Sequence, residues 1–497
     1  MIMKRLTLSK ILLLAATILF LSSCVNHPDV PTSFKEAKSL PAIFPDYCNV
    51  TVPCNIAPLN FMLPADQYEE CVARFTMADG EQQTYGNGVK VQIPETEWLD
   101  MLKTSKGKSM KVEVWGQKKG EWLSFRPFEI FVAEEPIDEY LSYRLIEPSY
   151  AGWDFMEIAQ RNITSFEETQ IFNNEITCND RAKGQCINCH SYQNYKTDNM
   201  LFHVRLSNAG TVIVNDGKIS KRNLKRDYTI SSGVYPAWHP TQKLIAFSTN
   251  KTRQAFHTQH PNKIEVFDEA SDLILYDVTT DSVSIVSNDS TLLEVYPTWS
   301  PDGKYLYYCK SVPLPEELRD KDITLNYQKV QYNLYRCSFD MSSHGFGEEE
   351  LVYDAASANK SVTLPRISPD GRYLLFAEGQ YGCFHIRHAD GDIVCMPLDT
   401  EAPSRIDLTN FNSEGFADSY PTWSSNGHWI MCSSRRGDGN FSRIYISYFN
   451  KGKVEKAFML PQKDPEHNTF RLKCYNRPEF MVEPVRISVN EFSKVFK

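Results

Sequence analysis

Short apolar runs, alternating or continuous and bounded by turn residues, recur along most of the chain and read as strands. Between residues 41 and 136 they are Val72-Ala73-Arg74-Phe75-Thr76, Val89-Lys90-Val91-Gln92-Ile93, Met110-Lys111-Val112-Glu113-Val114-Trp115 and Phe128-Glu129-Ile130-Phe131-Val132. Ala78-Asp79-Gly80 and Gly86-Asn87-Gly88 separate them. This pattern predicts a β-sandwich over 41–136, read as a spacer or docking module. Pro94 opens one short helix inside it. The segment 137–199 changes character. Tyr140 to Ile146 and Tyr150 to Asn174 carry a helix-like spacing, and Ser165-Phe166-Glu167-Glu168 has the form of a capping box. A helical segment is the expectation there.

From residue 200 to 497 the chain repeats itself. Tyr235-Pro236-Ala237-Trp238-His239-Pro240, Tyr296-Pro297-Thr298-Trp299-Ser300-Pro301-Asp302-Gly303, Leu364-Pro365-Arg366-Ile367-Ser368-Pro369-Asp370-Gly371 and Tyr420-Pro421-Thr422-Trp423-Ser424-Ser425-Asn426-Gly427 align. Each precedes a strand-like run and then a second strand group. The copies start 56 to 68 residues apart, which leaves room for long loops on one face. Pro-Asp-Gly or Asn-Gly makes a tight turn, and the Trp or Ile before it suits packing between sheets. The unit resembles a TolB-like, WD-type propeller repeat, which implies four-stranded blades and says little about function. Leu201 to Leu224 reads as a degenerate extra blade turning at Asn208-Ala209-Gly210, and Val482 to Val489 as a closing strand. The expected fold is therefore mainly β, ending in a propeller of five or six blades.

The N-terminus reads as an address. Lys4 and Arg5 precede an apolar run from Ile11 to Leu21 that is too short to span a bilayer with such flanks. Leu21-Ser22-Ser23-Cys24 resembles a bacterial lipobox, which implies a signal peptide over 1–23, lipid on Cys24 and a tether over 24–40. The expected location is the cell envelope, facing the periplasm, with the outer membrane favoured. Net charge is −9. Losing Lys4, Arg5 and Lys10 with the signal makes the remainder still more acidic, which argues against nucleic acid as a partner. The basic run Lys221 to Arg226 reads as a solvated strand edge. Thirteen cysteines are present. An exported chain permits disulfides. Cys383 and Cys395 flank a hairpin across which they would pair, although a core this large accommodates buried free thiols instead.

The strongest chemical signal is Cys186-Ile187-Asn188-Cys189-His190. Two thiols at this spacing form thioethers to one porphyrin, and the adjacent His supplies the proximal iron ligand. The expected cofactor is one covalently bound haem c. Competing readings stay open: structural zinc on Cys178, Cys186, Cys189 and His190, or a redox dithiol. Met200 is the first candidate for the distal iron ligand and His203 the second. His239, standing where the repeat has Ser, and His257 lie on propeller loops within possible reach. Glu265, Asp268 and Asp272 form an acidic group that reads as a solvated loop or a cation site. No other catalytic motif is present; Gly-x-Ser-x-Gly and His-Glu-x-x-His are both absent.

The stretch from Tyr140 to Asp277 resembles a group of Bacteroidetes lipoproteins of TolB-like or cytochrome c-related type. The likeness rests on Tyr143-Arg144-Leu145-Ile146-Glu147-Pro148, the haem motif, Met200-Leu201-Phe202-His203, Tyr235 to Pro240 and Ile264 to Asp268. It implies a haem segment fused to a propeller and no particular reaction. Three functions follow as expectations. The first is electron transfer with a periplasmic redox partner docked on the propeller. The second is a haem oxidoreductase with its substrate in the propeller funnel. The third is a TolB-like envelope scaffold.

Overall fold

The computed structural model describes residues 27–148, 155–176, 185–260, 262–318, 326–399 and 404–496. Cys24 with the signal peptide, and Cys178, lie outside the described residues. The N-terminal strands gather in one seven-stranded sheet, in which Ser109–Lys118 pairs with Glu70–Thr76, Glu121–Ser124 and Phe128–Val132. A two-stranded ribbon, Phe61–Met62 with Lys90–Val91, accompanies it. Phe128–Val132 alternates inward and outward strictly, as its sequence predicts. The helix Glu95–Thr104 follows Pro94 and buries Trp98, Met101 and Leu102, the spacing of one helical face. The Trp98 indole N–H donates to the Ile56 carbonyl at 2.9 Å.

The chain is mainly β, 48% strand and 9% helix, with a propeller-like arrangement of four blades. The repeats explain the blades. Ser300, Ser368 and Ser424 accept the backbone N–H of Tyr305, Tyr373 and Trp429 and donate to Asp302, Asp370 and Asn426, closing the same turn three times. Gly303, Gly371 and Gly427 sit at φ 72–74°, where a side chain is strained. Trp299 and Trp423 donate to the carbonyls of Ala237 and Arg366 in the preceding blade, tying sheets together.

The segment 137–199 is a correction to the sequence reading: its described residues are strands, with only a three-residue 3-10 turn at Asn174–Ile176. Tyr140–Ile146 is buried on both faces at its centre, so it lacks the alternation of a half-exposed strand. Ser165 accepts the Glu167 N–H at 3.2 Å and closes a tight turn instead of capping a helix. Tyr140–Ile146 pairs with Met156–Asn162 on one side and with Cys474–Met481 on the other. The closing strand thus lies just ahead of 482–489, which holds Pro484 and a helix start capped by Ser488 and Glu491. The Cys186 to His190 pentad lies on a strand, Gln185–Gln193, the edge of a sheet continued by Lys196–Leu206, Gly210–Asn215 and Lys218–Arg222. Cys383 and Cys395 are both free. They belong to different apolar clusters, Cys383 with Tyr296 and Cys395 with Trp423, so no bridge spans the hairpin.

Six strands form a closed ring. Gln185–Gln193 packs on Val234–Trp238, and that on Leu293–Trp299, Ser361–Ile367, Asp418–Trp423 and Cys474–Met481 in turn; the last returns to the first. Phe480 is 1% exposed and faces Leu141 across the closing pair. Phe480→Ala should therefore cost about 3–5 kcal/mol of stability. Urea unfolding measures it, and a loss below about 1 kcal/mol would mean that the closing strand is peripheral to the fold.

Candidate functional site

All six ring strands carry one residue in the left-handed region: Cys189 (φ 58°), Tyr235 (50°), Tyr296 (56°), Leu364 (56°), Tyr420 (53°) and Arg477 (51°). Pairing shifts register around each of them, as in a β-bulge. In five strands the next residue is proline: Pro236, Pro297, Pro365, Pro421 and Pro478. In the sixth it is His190. The Cys189-His190 half of the haem motif therefore occupies the Tyr-Pro position of the propeller repeat. A proline there offers no N–H and no polar side chain. His190 places an imidazole in the same spot.

These bulges surround a narrow throat of about 50 Å³, lined among others by Asn188, Cys189, Tyr235, Tyr296, Tyr420 and Arg477. Two wider cavities lie beyond it. One, of about 420 Å³, takes its wall from Cys186, Asn188, His203, Arg205, Arg144 and Tyr235, together with Arg387, Arg435 and the hairpin residues Asn250 and Thr252. The other, of about 450 Å³, is lined by Tyr192, Trp238, Trp299, Trp423, Arg366 and Glu479. The register explains the first wall. Cys186 is opposite Arg205 and Asn188 opposite His203, two residues apart on one face of the antiparallel pair. The left-handed turn at Cys189 then breaks that alternation, and Asn188 and Cys189 both line the throat.

The sequence-predicted residues separate cleanly. Cys186, Cys189 and His190 are all buried, and both thiols are free. Burial pushes the Cys186 thiol up, and the Arg205 and Arg144 guanidiniums work against that rise. Burial holds His190 well below the ordinary histidine range, with Arg477 and Arg144 adding to the effect. That favours the neutral ring, and its Nε2 has no hydrogen-bond partner among the described residues. His203 lines the wide cavity, its Nδ1 3.2 Å from Thr211 Oγ1, and burial pushes its pKa down to about 3. Met200 does not line it. It is wholly buried between Met156, Phe172 and Phe202, which corrects its place as first candidate.

His239 is also accounted for. Its Nδ1 accepts the N–H groups of Thr241 and Gln242, two and three residues on, where Ser in the other repeats accepts the N–H five residues on. His257 lies 3.2 Å from the Tyr327 hydroxyl and lines neither cavity. The acidic group is not a solvated loop: Glu265 and Asp272 are buried, and Glu265 and Asp268 are hydrogen-bonded. Glu265 accepts from His388, Asn262 and Tyr381 at 2.8 to 3.0 Å. Asp268 accepts from Asn250 at 2.9 Å, and burial lifts its carboxyl to about 7. Asp272 is raised by burial alone. Among the described residues no three His, Cys, Asp or Glu side chains gather to hold a metal ion.

Sequence reasoning missed the arginines. Arg144, Arg205, Arg387 and Arg435 reach one cavity from four separate strands or loops. Only the Cys186 to Arg205 register pointed that way, through a pairing that the helical reading of 137–199 concealed.

Two free thiols three residues apart and a buried imidazole are the donor set that a covalently held porphyrin would need; Cys186 lines the wide cavity and Cys189 the throat, while His190 lies behind them and lines neither. An unpartnered buried polar atom is costly unless something completes it. Cys186 and Cys189 would carry the thioethers, and His190 Nε2 would be the donor to an iron.

No family model matches the chain, and no curated protein matches it either. Among solved structures it is similar to prolyl oligopeptidase B from Galerina marginata, at 11% identity and a TM-score of 0.36, over 63% of this chain and 44% of that one. A puromycin-hydrolyzing peptidase from Mycobacterium tuberculosis matches at 12% and 0.36, over 84% and 57%. Hydrazine synthase from Kuenenia stuttgartiensis matches at 11% and 0.28, over 53% and 76%. The chain thus spans less than two thirds of either peptidase.

The buried histidines set a pH dependence. Below about 6.5 the unfolded chain takes up a proton that folded His203 refuses until about pH 3, so stability falls as pH falls through that window. His203 contributes about 1.4 kcal/mol per pH unit there. His203→Gln should flatten the fall by that amount in urea unfolding between pH 6.5 and 4.5, and an unchanged slope would show that the ring protonates in the folded state.

Proposed function

We propose that this chain is a lipid-anchored cell-envelope protein that holds one c-type haem on Cys186 and Cys189 and transfers electrons to or from a docked protein partner. The observation that carries this reading is His190, a buried, neutral imidazole with an unpartnered Nε2, standing next to two free thiols where five sister strands have proline. When bound, such a group supplies a one-electron couple whose potential depends on its axial ligands.

The chain's own residues do the rest. Burial keeps His190 uncharged, so its lone pair stays free for a metal. The carbonyl groups near its ring, on Arg477 and Ser142, favour one orientation of it. His203 stands on the cavity wall and is the better candidate for the second axial position, since Met200 is locked in the core.

The finer architecture belongs to the same proposal. Six left-handed bulges and a ring of six strands support six blades, the first completed by the C-terminal strand in the manner of a clasp. The N-terminal unit, whether one sheet and a ribbon or a sandwich, would present the docking surface. Lipid on Cys24 would hold the whole at a membrane, with the outer membrane favoured. A second reading, a haem oxidoreductase, draws support from the width of the 420 Å³ cavity, which leaves room for a small substrate beside the motif.

Exporting the full chain in a host with haem-maturation machinery tests the proposal. A pyridine haemochrome assay should find one haem per chain, and none in the Cys186→Ala/Cys189→Ala double variant. A wild-type chain without covalent haem would sink the reading. A low-spin spectrum that turns high-spin in His203→Gln would support electron transfer over catalysis.

A further inference from the structure

Arg144 is only 9% exposed, yet it lines both the wide cavity and the throat. Its Nε has no hydrogen-bond partner among the described residues, and its Nη1 reaches the Ile187 carbonyl at 3.4 Å. Arg205 shares the wall and makes no ion pair among the described residues. The one carboxylate among the described lining residues is Glu147, against four arginines. This concentration of positive charge occurs in a chain whose net charge is −9. Asp268 lies close enough to act on the Arg205 charge but does not line the cavity; toward the cavity itself the planar fork of each guanidinium is matched to a carboxylate or similar oxyanion.

We propose that the wide cavity binds a carboxylate-type oxyanion between Arg144 and Arg205. This deepens the reading of the same cavity as the haem site, and the anion has two possible sources of one chemistry: the propionates of a haem, or a free small carboxylate. The arginines face the space that Cys186 faces. Among the described residues neither forms an ion pair within 4.0 Å. Arg435 differs, since its Nε donates to the Ile386 carbonyl at 2.6 Å, and it serves the wall rather than the ligand.

The test uses the full chain prepared with and without haem maturation, with succinate titrated into each by calorimetry. Succinate should bind the unmatured chain. Arg144→Gln and Arg205→Gln should each weaken that binding by about tenfold or more. Arg253→Gln, exposed on the long hairpin, should leave it unchanged. Binding that survives maturation assigns the site to a free anion, and binding abolished by maturation assigns it to the propionates; both support the proposal. No binding to the unmatured chain, or binding unchanged in both Gln variants, overturns it. Where a variant fails to fold, competition by inorganic sulfate on the wild-type chain replaces it, and absence of competition counts against the site. The haem reading fails separately, by a missing haemochrome while succinate still binds.

Discussion

The inner strands must line a channel with some side chains and pack on the next sheet with others, although a plain strand sends successive residues to opposite faces. A bulge with one left-handed residue resolves the conflict by placing two neighbours on the same side. The structure uses it six times, at Cys189, Tyr235, Tyr296, Leu364, Tyr420 and Arg477. None of these is glycine, so each conformation is held against its intrinsic cost by the packing around it. Tyr235 and Tyr296 show how: their rings meet at 4.4 Å between centroids, and the Tyr296 hydroxyl donates to the Cys383 carbonyl at 2.8 Å.

That constraint also locates the chemistry. A ring position already committed to a bulge accepts any residue that tolerates the geometry, so one strand of six carries Cys-His in place of Tyr-Pro. The scaffold stays the same and the site is grafted on it. The neighbouring strand Lys196–Leu206 then contributes His203 and Arg205 by simple antiparallel register. Arg144 arrives from the strand that the C-terminus completes. The site is therefore assembled by the closing of the ring from parts far apart in the chain.

How much of this was legible follows from the same geometry. The four Tyr-Pro or Leu-Pro repeats were readable because Pro, Trp and Gly each answer a local demand of the turn. The strand with Cys189 and His190 was not recognised as a fifth relative, because the residues that mark the bulge elsewhere are the ones replaced. Tyr140–Ile146 was misread because a strand buried on both faces has no alternation to betray it. Met200 stands ahead of His203 on chemical grounds alone; strand register, which the sequence does not display, puts His203 and not Met200 on the cavity wall. The arginine wall was invisible for the same reason, since its members share no spacing along the chain.

The clasp between Tyr140–Ile146 and Cys474–Met481 joins segments separated by most of the protein. Loop closure over such a span is slow compared with the local hairpins that form each sheet. Until residue 474 and its neighbours arrive, the strand at 140–146 presents a bare, apolar edge able to pair with another chain. A nascent or truncated chain therefore spends its time as an open arc of finished sheets with one sticky end. For a protein of this shape the hazard lies in the interval before closure, when assembly competes with aggregation.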